Sequence, residues 1–148
     1  MGIVENFKKT YEFNGLAKVV EIDVGFHKES ECCSEFRTVS ALIDTGAELS
    51  GIKPYLAEEF GFKIVREAYI NTATDKNVFA RVYAGEIWID DYVMFVPEIV
   101  EITNDDNPHD FVVGMNILRH SDFAVSNANG KTVFTIRFPP RDRIDFMK

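Results

Sequence analysis

Ser40-Ala41-Leu42-Ile43-Asp44-Thr45-Gly46-Ala47-Glu48-Leu49-Ser50 is the stretch that decides the fold. An apolar run enters an aspartate, and a Thr-Gly pair then turns the chain. A carboxylate at the end of an apolar strand is expensive to desolvate, so it needs donors or a partner. Thr45 brings a hydroxyl, and Gly46 lets backbone amides approach the carboxylate. The same tripeptide also suits an ordinary turn at a strand end. Taken alone, it selects no chemistry.

A second stretch lies far downstream, Phe111-Val112-Val113-Gly114-Met115-Asn116-Ile117-Leu118. Here an apolar triplet ends in glycine and leads into a short helix or turn. In this order and at domain-scale separation, the two stretches resemble the active-site loop and the apolar-apolar-Gly motif of the retropepsin family, the single-lobe aspartic proteases. The resemblance runs from about Ala17 to Pro139. It implies a mainly β fold, a closed barrel-like acid-protease lobe with one or two short helices. It also implies that Asp44 is catalytic, and that Thr45, Gly46, Ala47 and Glu48 support the loop and bind substrate backbone. Val113 and Gly114 are then expected to pack behind the loop.

Composition agrees with that class and excludes others. The 148 residues suit one compact domain with a sizeable core, and 46% of them are hydrophobic. No apolar run approaches the length of a bilayer span. The first ten residues lack the apolar core of a signal peptide, and Asn6 stands where an acylation start after Met1-Gly2 requires Ser or Thr. A cytoplasmic protein with no membrane partner is expected. The net charge of -8, with no Lys/Arg cluster, argues against nucleic acid. Cys32 and Cys33 are adjacent and give no disulfide framework. His27, His109 and His120 are scattered without metal-ligand spacing, so no metal and no cofactor are expected.

Along the chain, residues 1–16 read as an N-terminal extension, 17–139 as the domain and 140–148 as a tail. Ala17–Phe26 alternates as a half-buried strand, His27–Glu35 reads as an exposed polar loop, and Phe36–Ile43 delivers Asp44. Pro54 and Gly61 bracket a short helix that turns Leu56 and Phe60 inward. Phe62–Ile70 and Val78–Ile89 read as strands around a polar turn at 72–77. By the resemblance this hairpin is the flap that folds over substrate, with Thr74, Asp75, Lys76 and Asn77 at its tip. That tip contains no glycine, unlike the retroviral flap. Trp88 reads as core, and Asn129-Gly130 between two alternating strands is a strong hairpin signal.

Aspartic protease chemistry needs two close carboxylates sharing one proton, one a base on water and the other an acid to the scissile carbonyl. This chain has one Asp-Thr-Gly, no Asp-Ser-Gly, and too few residues for two lobes. The resemblance therefore implies an isologous homodimer acting on a peptide or protein substrate. Ala47 replaces a hydroxyl residue of two-lobed relatives, which points to activity at milder acidity. Met115 stands where viral relatives carry an arginine that pairs with an aspartate at the position of Glu48. That pairing is absent or passes to Arg119, a pattern closer to cellular or bacterial relatives. The interface is expected from Lys131–Phe138. Two further readings compete: a non-catalytic dimer that holds a peptide or scaffolds an assembly, and a generic β-rich monomer. The intact Asp-Thr-Gly favours the enzyme.

Overall fold

A computed structural model describes residues 5–147, and the Met1-Gly2 start read above lies outside them. The chain builds two sheets. Strands β1 (Phe7–Glu12), β10 (Val133–Phe138) and β9 (Asp122–Ser126) form a small antiparallel sheet in that order. The larger sheet runs β2 (Glu21–Glu29), β3 (Ser34–Ile43), β8 (Phe111–Val113), β4 (Ser50–Ile52), β7 (Tyr92–Glu101), β6 (Val78–Ile89) and β5 (Lys63–Ile70). Gly25 of β2 also pairs with Trp88 of β6, which closes six of these strands into a barrel. The mainly β, closed-barrel class expected from the two motifs is the one found; among the described residues the α-helices are α1 (Pro54–Glu59) and α2 (Met115–Leu118), and a single 3-10 turn covers Ala128–Gly130.

The barrel closes around aromatic and branched side chains. Phe26 packs against Phe60, Phe62 and Phe111 with ring centroids 5.6–5.9 Å apart. Ile52, Leu56, Val113, Ile117 and Leu118 fill the space behind them. Helix α1 ends as its sequence dictates. Gly61 takes a left-handed φ of +70°, and the N–H groups of Gly61 and Phe62 bond back to Glu58 and Ala57. The second sheet docks through stacked rings, with Tyr92 lying 5.5 Å from Phe7 and 5.0 Å from Phe138.

Three features differ from the sequence expectations. The first strand starts later and runs further, because Ala17 is tied to Thr132 and the ladder with β3 continues to Glu29 and Ser34. Residues 27–29 and 34–35, read as loop, are therefore strand, and only 30–33 turn. Beyond the barrel both faces of this hairpin meet water, so its polar residues carry no alternation to read. Residues 5–16, read as extension, contain β1, whose Phe7 joins the core. Finally, β10 lies between β1 and β9 with both backbone edges used. Among the described residues, Val133–Phe138 within the expected Lys131–Phe138 segment therefore has no free edge for a partner strand, and the edges of this sheet are β1 and β9.

The expected hairpin at Asn129-Gly130 is present. Both residues take positive φ, 60° and 71°, at the centre of a turn closed by the Lys131 N–H on the Ala128 carbonyl, within the 127–132 connection that joins β9 to β10.

Candidate active site

Strand β3 ends at Ile43, which pairs in parallel with Val113 of β8. The next residue, Asp44, donates its main-chain N–H to the Val113 carbonyl at 2.9 Å. Its carboxylate Oδ1 accepts the Gly46 N–H at 2.9 Å, which folds the loop back on the side chain. A Cβ at Gly46 would stand 3.2 Å from that same oxygen, so the close approach suits glycine. Asp44 and Ala47 are half-buried, while Thr45, Gly46 and Glu48 are exposed. The five expected loop residues and the Val113-Gly114 pair are thus brought together.

The loop and helix α2 complete each other. The first N–H groups of a helix lack internal partners. Here Met115 donates to the Ala47 carbonyl at 2.8 Å and Asn116 to that of Glu48 at 3.1 Å. Gly114 makes this contact sterically possible. Its φ of -96° is open to any residue, but a Cβ would lie 2.8 Å from the Leu49 carbonyl carbon and oxygen.

Beneath the loop sits a polar brace. Ser50 is fully buried. Its hydroxyl donates to Asn116 Oδ1 at 2.7 Å and accepts the Gly114 N–H at 2.9 Å. The Ser50 N–H also reaches Asn116 Oδ1, at 2.8 Å, and Asn116 Nδ2 donates to the Glu98 carbonyl. Among the described residues Glu48 forms no ion pair, with Arg119 or any other cation. The brace between the two motifs is therefore a neutral one.

A cleft of about 580 Å³ opens beside the loop. Gly46 to Leu49 form one wall, Ile70 to Thr74 another, and Val100 to Asn104 a third. Of the four expected tip residues, Thr74 lines this cleft, while Asp75, Lys76 and Asn77 form the outer turn. That turn manages without glycine because Asn77 takes φ +55° and its N–H is held by Asn71 Oδ1. Near the base of the third wall, burial works to raise the Asp110 carboxyl. Hydrogen bonds from the Tyr55 hydroxyl and the Lys53 ammonium outweigh it and hold the group below its usual value. Burial, then Asp110 itself, pushes the Tyr55 hydroxyl up to about 12.

Residues 34–120 match the family described as gag-polyprotein putative aspartyl protease. The match takes in Asp44, the β5–β6 hairpin and Gly114, and more than half of the chain. The chain belongs to this family. Comparison with curated proteins gives no match. Among solved structures, the chain is similar to a retropepsin-like aspartic protease from Rickettsia conorii, at 15% identity and a TM-score of 0.58. The similarity covers 93% of this chain and 98% of that one. At such low identity the likeness is one of fold, and the fold is retropepsin-like.

For this gag-polyprotein aspartyl protease family member, sequence patterns point to the loop and to the Val113-Gly114 pair, but not to the polar brace beneath them. Ser50 and Asn116 stand inside the quoted motifs, yet neither reads as functional until the fold brings them into contact. The one available signal is a polar Asn116 within an otherwise apolar run. Nor does any pattern in the sequence mark Val100 to Asn104 as a wall of a cleft. Trp88 lies away from the cleft, edge-on to His27 and Phe36. Cys32 and Cys33 are free and exposed at the tip of the β2–β3 hairpin. Among the described residues no three His, Cys, Asp or Glu side chains gather as metal donors. No helix among them is long and apolar enough to cross a membrane.

Proposed function

We propose that this chain is an aspartic endopeptidase, with Asp44 facing its symmetry mate across the two-fold axis of a homodimer. The observation that carries this is the setting of Asp44. Its backbone is fixed to Val113, its carboxylate is held by the Gly46 N–H, and the loop that carries it walls the cleft. One chain supplies one such carboxylate, and the chemistry needs two.

In the dimer the two aspartates share a proton, because like charges so close do not both ionise. The ionised one takes a proton from water as the oxygen attacks the scissile carbonyl carbon. The protonated one donates to the carbonyl oxygen. Collapse of the tetrahedral intermediate breaks the C–N bond, and the proton passes to the leaving amine. In this reading Thr45, exposed beside Asp44, hydrogen-bonds across the axis, and the Thr74–Asn77 tip closes over bound peptide. The reaction needs neither metal nor organic cofactor.

The test is peptide-library cleavage between about pH 4 and 7.5, a range that brackets carboxylate-dyad chemistry, comparing wild type with Asp44→Asn. Sedimentation establishes the dimer in both. Cleavage by the wild type alone is expected. Two dimeric proteins that both fail to cleave would return the non-catalytic, peptide-holding alternative. A monomeric wild type would overturn the shared dyad.

A further inference from the structure

We propose that the cleft selects peptides carrying a lysine or arginine among apolar residues, with Glu48 and Glu101 as the selecting side chains. The proposal rests on the peptide-binding role given to this cleft above. Glu48 lies on the Asp44 loop and Glu101 at the end of β7, and both line the same cleft. Among the described residues they are the only ionisable side chains in the cleft lining, to which no lysine, arginine or histidine contributes.

Neither glutamate has a cation of its own. Among the described residues, no ion pair involves Glu48 or Glu101. Arg119 borders a separate depression next to Glu48 without pairing with it. Lys53, at the base of the third wall, is engaged by Asp110. Glu101, half-buried, accepts the main-chain N–H of Arg81 on Oε1 at 3.0 Å, which fixes the carboxylate; among the described residues its other oxygen makes no hydrogen bond. The remaining lining is largely apolar, with Leu49, Ile70, Val100, Ile102 and Val112.

A long basic side chain answers both features at once. Its methylene stem lies on apolar surface while its charged head reaches a carboxylate. A peptide entering this cleft brings its own desolvation, which strengthens a charge-assisted hydrogen bond relative to the same pair in water. An acidic side chain would meet two like charges there instead.

The experiment uses Asp44→Asn protein, so that binding is read without cleavage. The probes are decapeptides of apolar residues in which one scanned position carries lysine or norleucine, which match in stem but not in charge. At one or two positions the lysine peptide is expected to bind about tenfold tighter, the size of one partly desolvated charge-assisted contact. The ratio should shrink as salt is raised, and collapse in the Glu48→Gln, Glu101→Gln double variant. Equal affinities for the two peptides, or no binding of either, would overturn the proposal. So would a lysine preference that survives the double substitution. Wild-type cleavage is scored separately. A lysine preference without cleavage keeps this inference and removes the protease, whereas cleavage without preference does the reverse.

Discussion

Gly114 and Leu49 touch backbone to backbone, so closely that a methyl on Gly114 would stand 2.8 Å from the Leu49 carbonyl. The obstacle is main chain, not the end of a flexible side chain. Gly114→Ala must therefore push the Asp44 loop off helix α2. Overpacking of this kind costs about 1–3 kcal/mol. A lower urea midpoint and a much larger loss of peptide cleavage than of stability are expected. An alanine variant with wild-type midpoint and activity would show that the two segments separate freely.

Ser50 and Asn116 should behave as one unit. Ser50→Ala strands the Gly114 N–H and one Asn116 lone pair, and Asn116→Ala strands the Ser50 hydroxyl and N–H. Each single change is expected to cost about 1–3 kcal/mol, the penalty for an unsatisfied buried polar group. The double variant should lose much less than the sum, since residues in one network are not additive. Strict additivity in chemical denaturation would mean the brace is no network.

Asp110 sets an acid limit. Its folded carboxyl is held below the ordinary value of 3.8, so it adds stability above that pH and loses it as pH falls through the folded value. Asp110→Asn should therefore melt lower than wild type at neutral pH. The gap should close only at acid pH below the folded carboxyl's own value, itself under 3.8, where both side chains are uncharged. Melting curves recorded at both pH values check this, and a constant gap would remove the charge from the account.

Phe7 tests whether β1 belongs to the domain. The ring is 7% exposed and stacks on Tyr92, so Phe7→Ala should cost about 3 kcal/mol or more. A change under about 1 kcal/mol, typical of exposed positions, would mark β1 as an appendage.

What the sequence made legible was local. Pro54 and Gly61 cap a helix through their own backbone preferences, and Asn129-Gly130 takes the positive φ angles of a tight turn through its own. The two motifs were legible because each packs steric demands into a few neighbouring residues. Ser50 was not, since a serine becomes a buried brace only when Asn116 arrives from the far side of the barrel. Glu101 escaped for the same reason: its place in the cleft depends on β7 lying beside β4. The β2–β3 hairpin escaped for another, because a strand wet on both faces has no apolar side to alternate.

The parallel pairing of Ile43 with Val113 also has a consequence in time. The two residues are about seventy positions apart, and such distant strands close slowly because the intervening chain must first lose its freedom. During synthesis, Asp44 leaves the ribosome long before Val113, Gly114 and Asn116 exist to hold it. The loop then has neither its backbone acceptor nor its brace. A chain still being made therefore carries Asp44 on an unformed loop until the last strand of the barrel, β8, has been released.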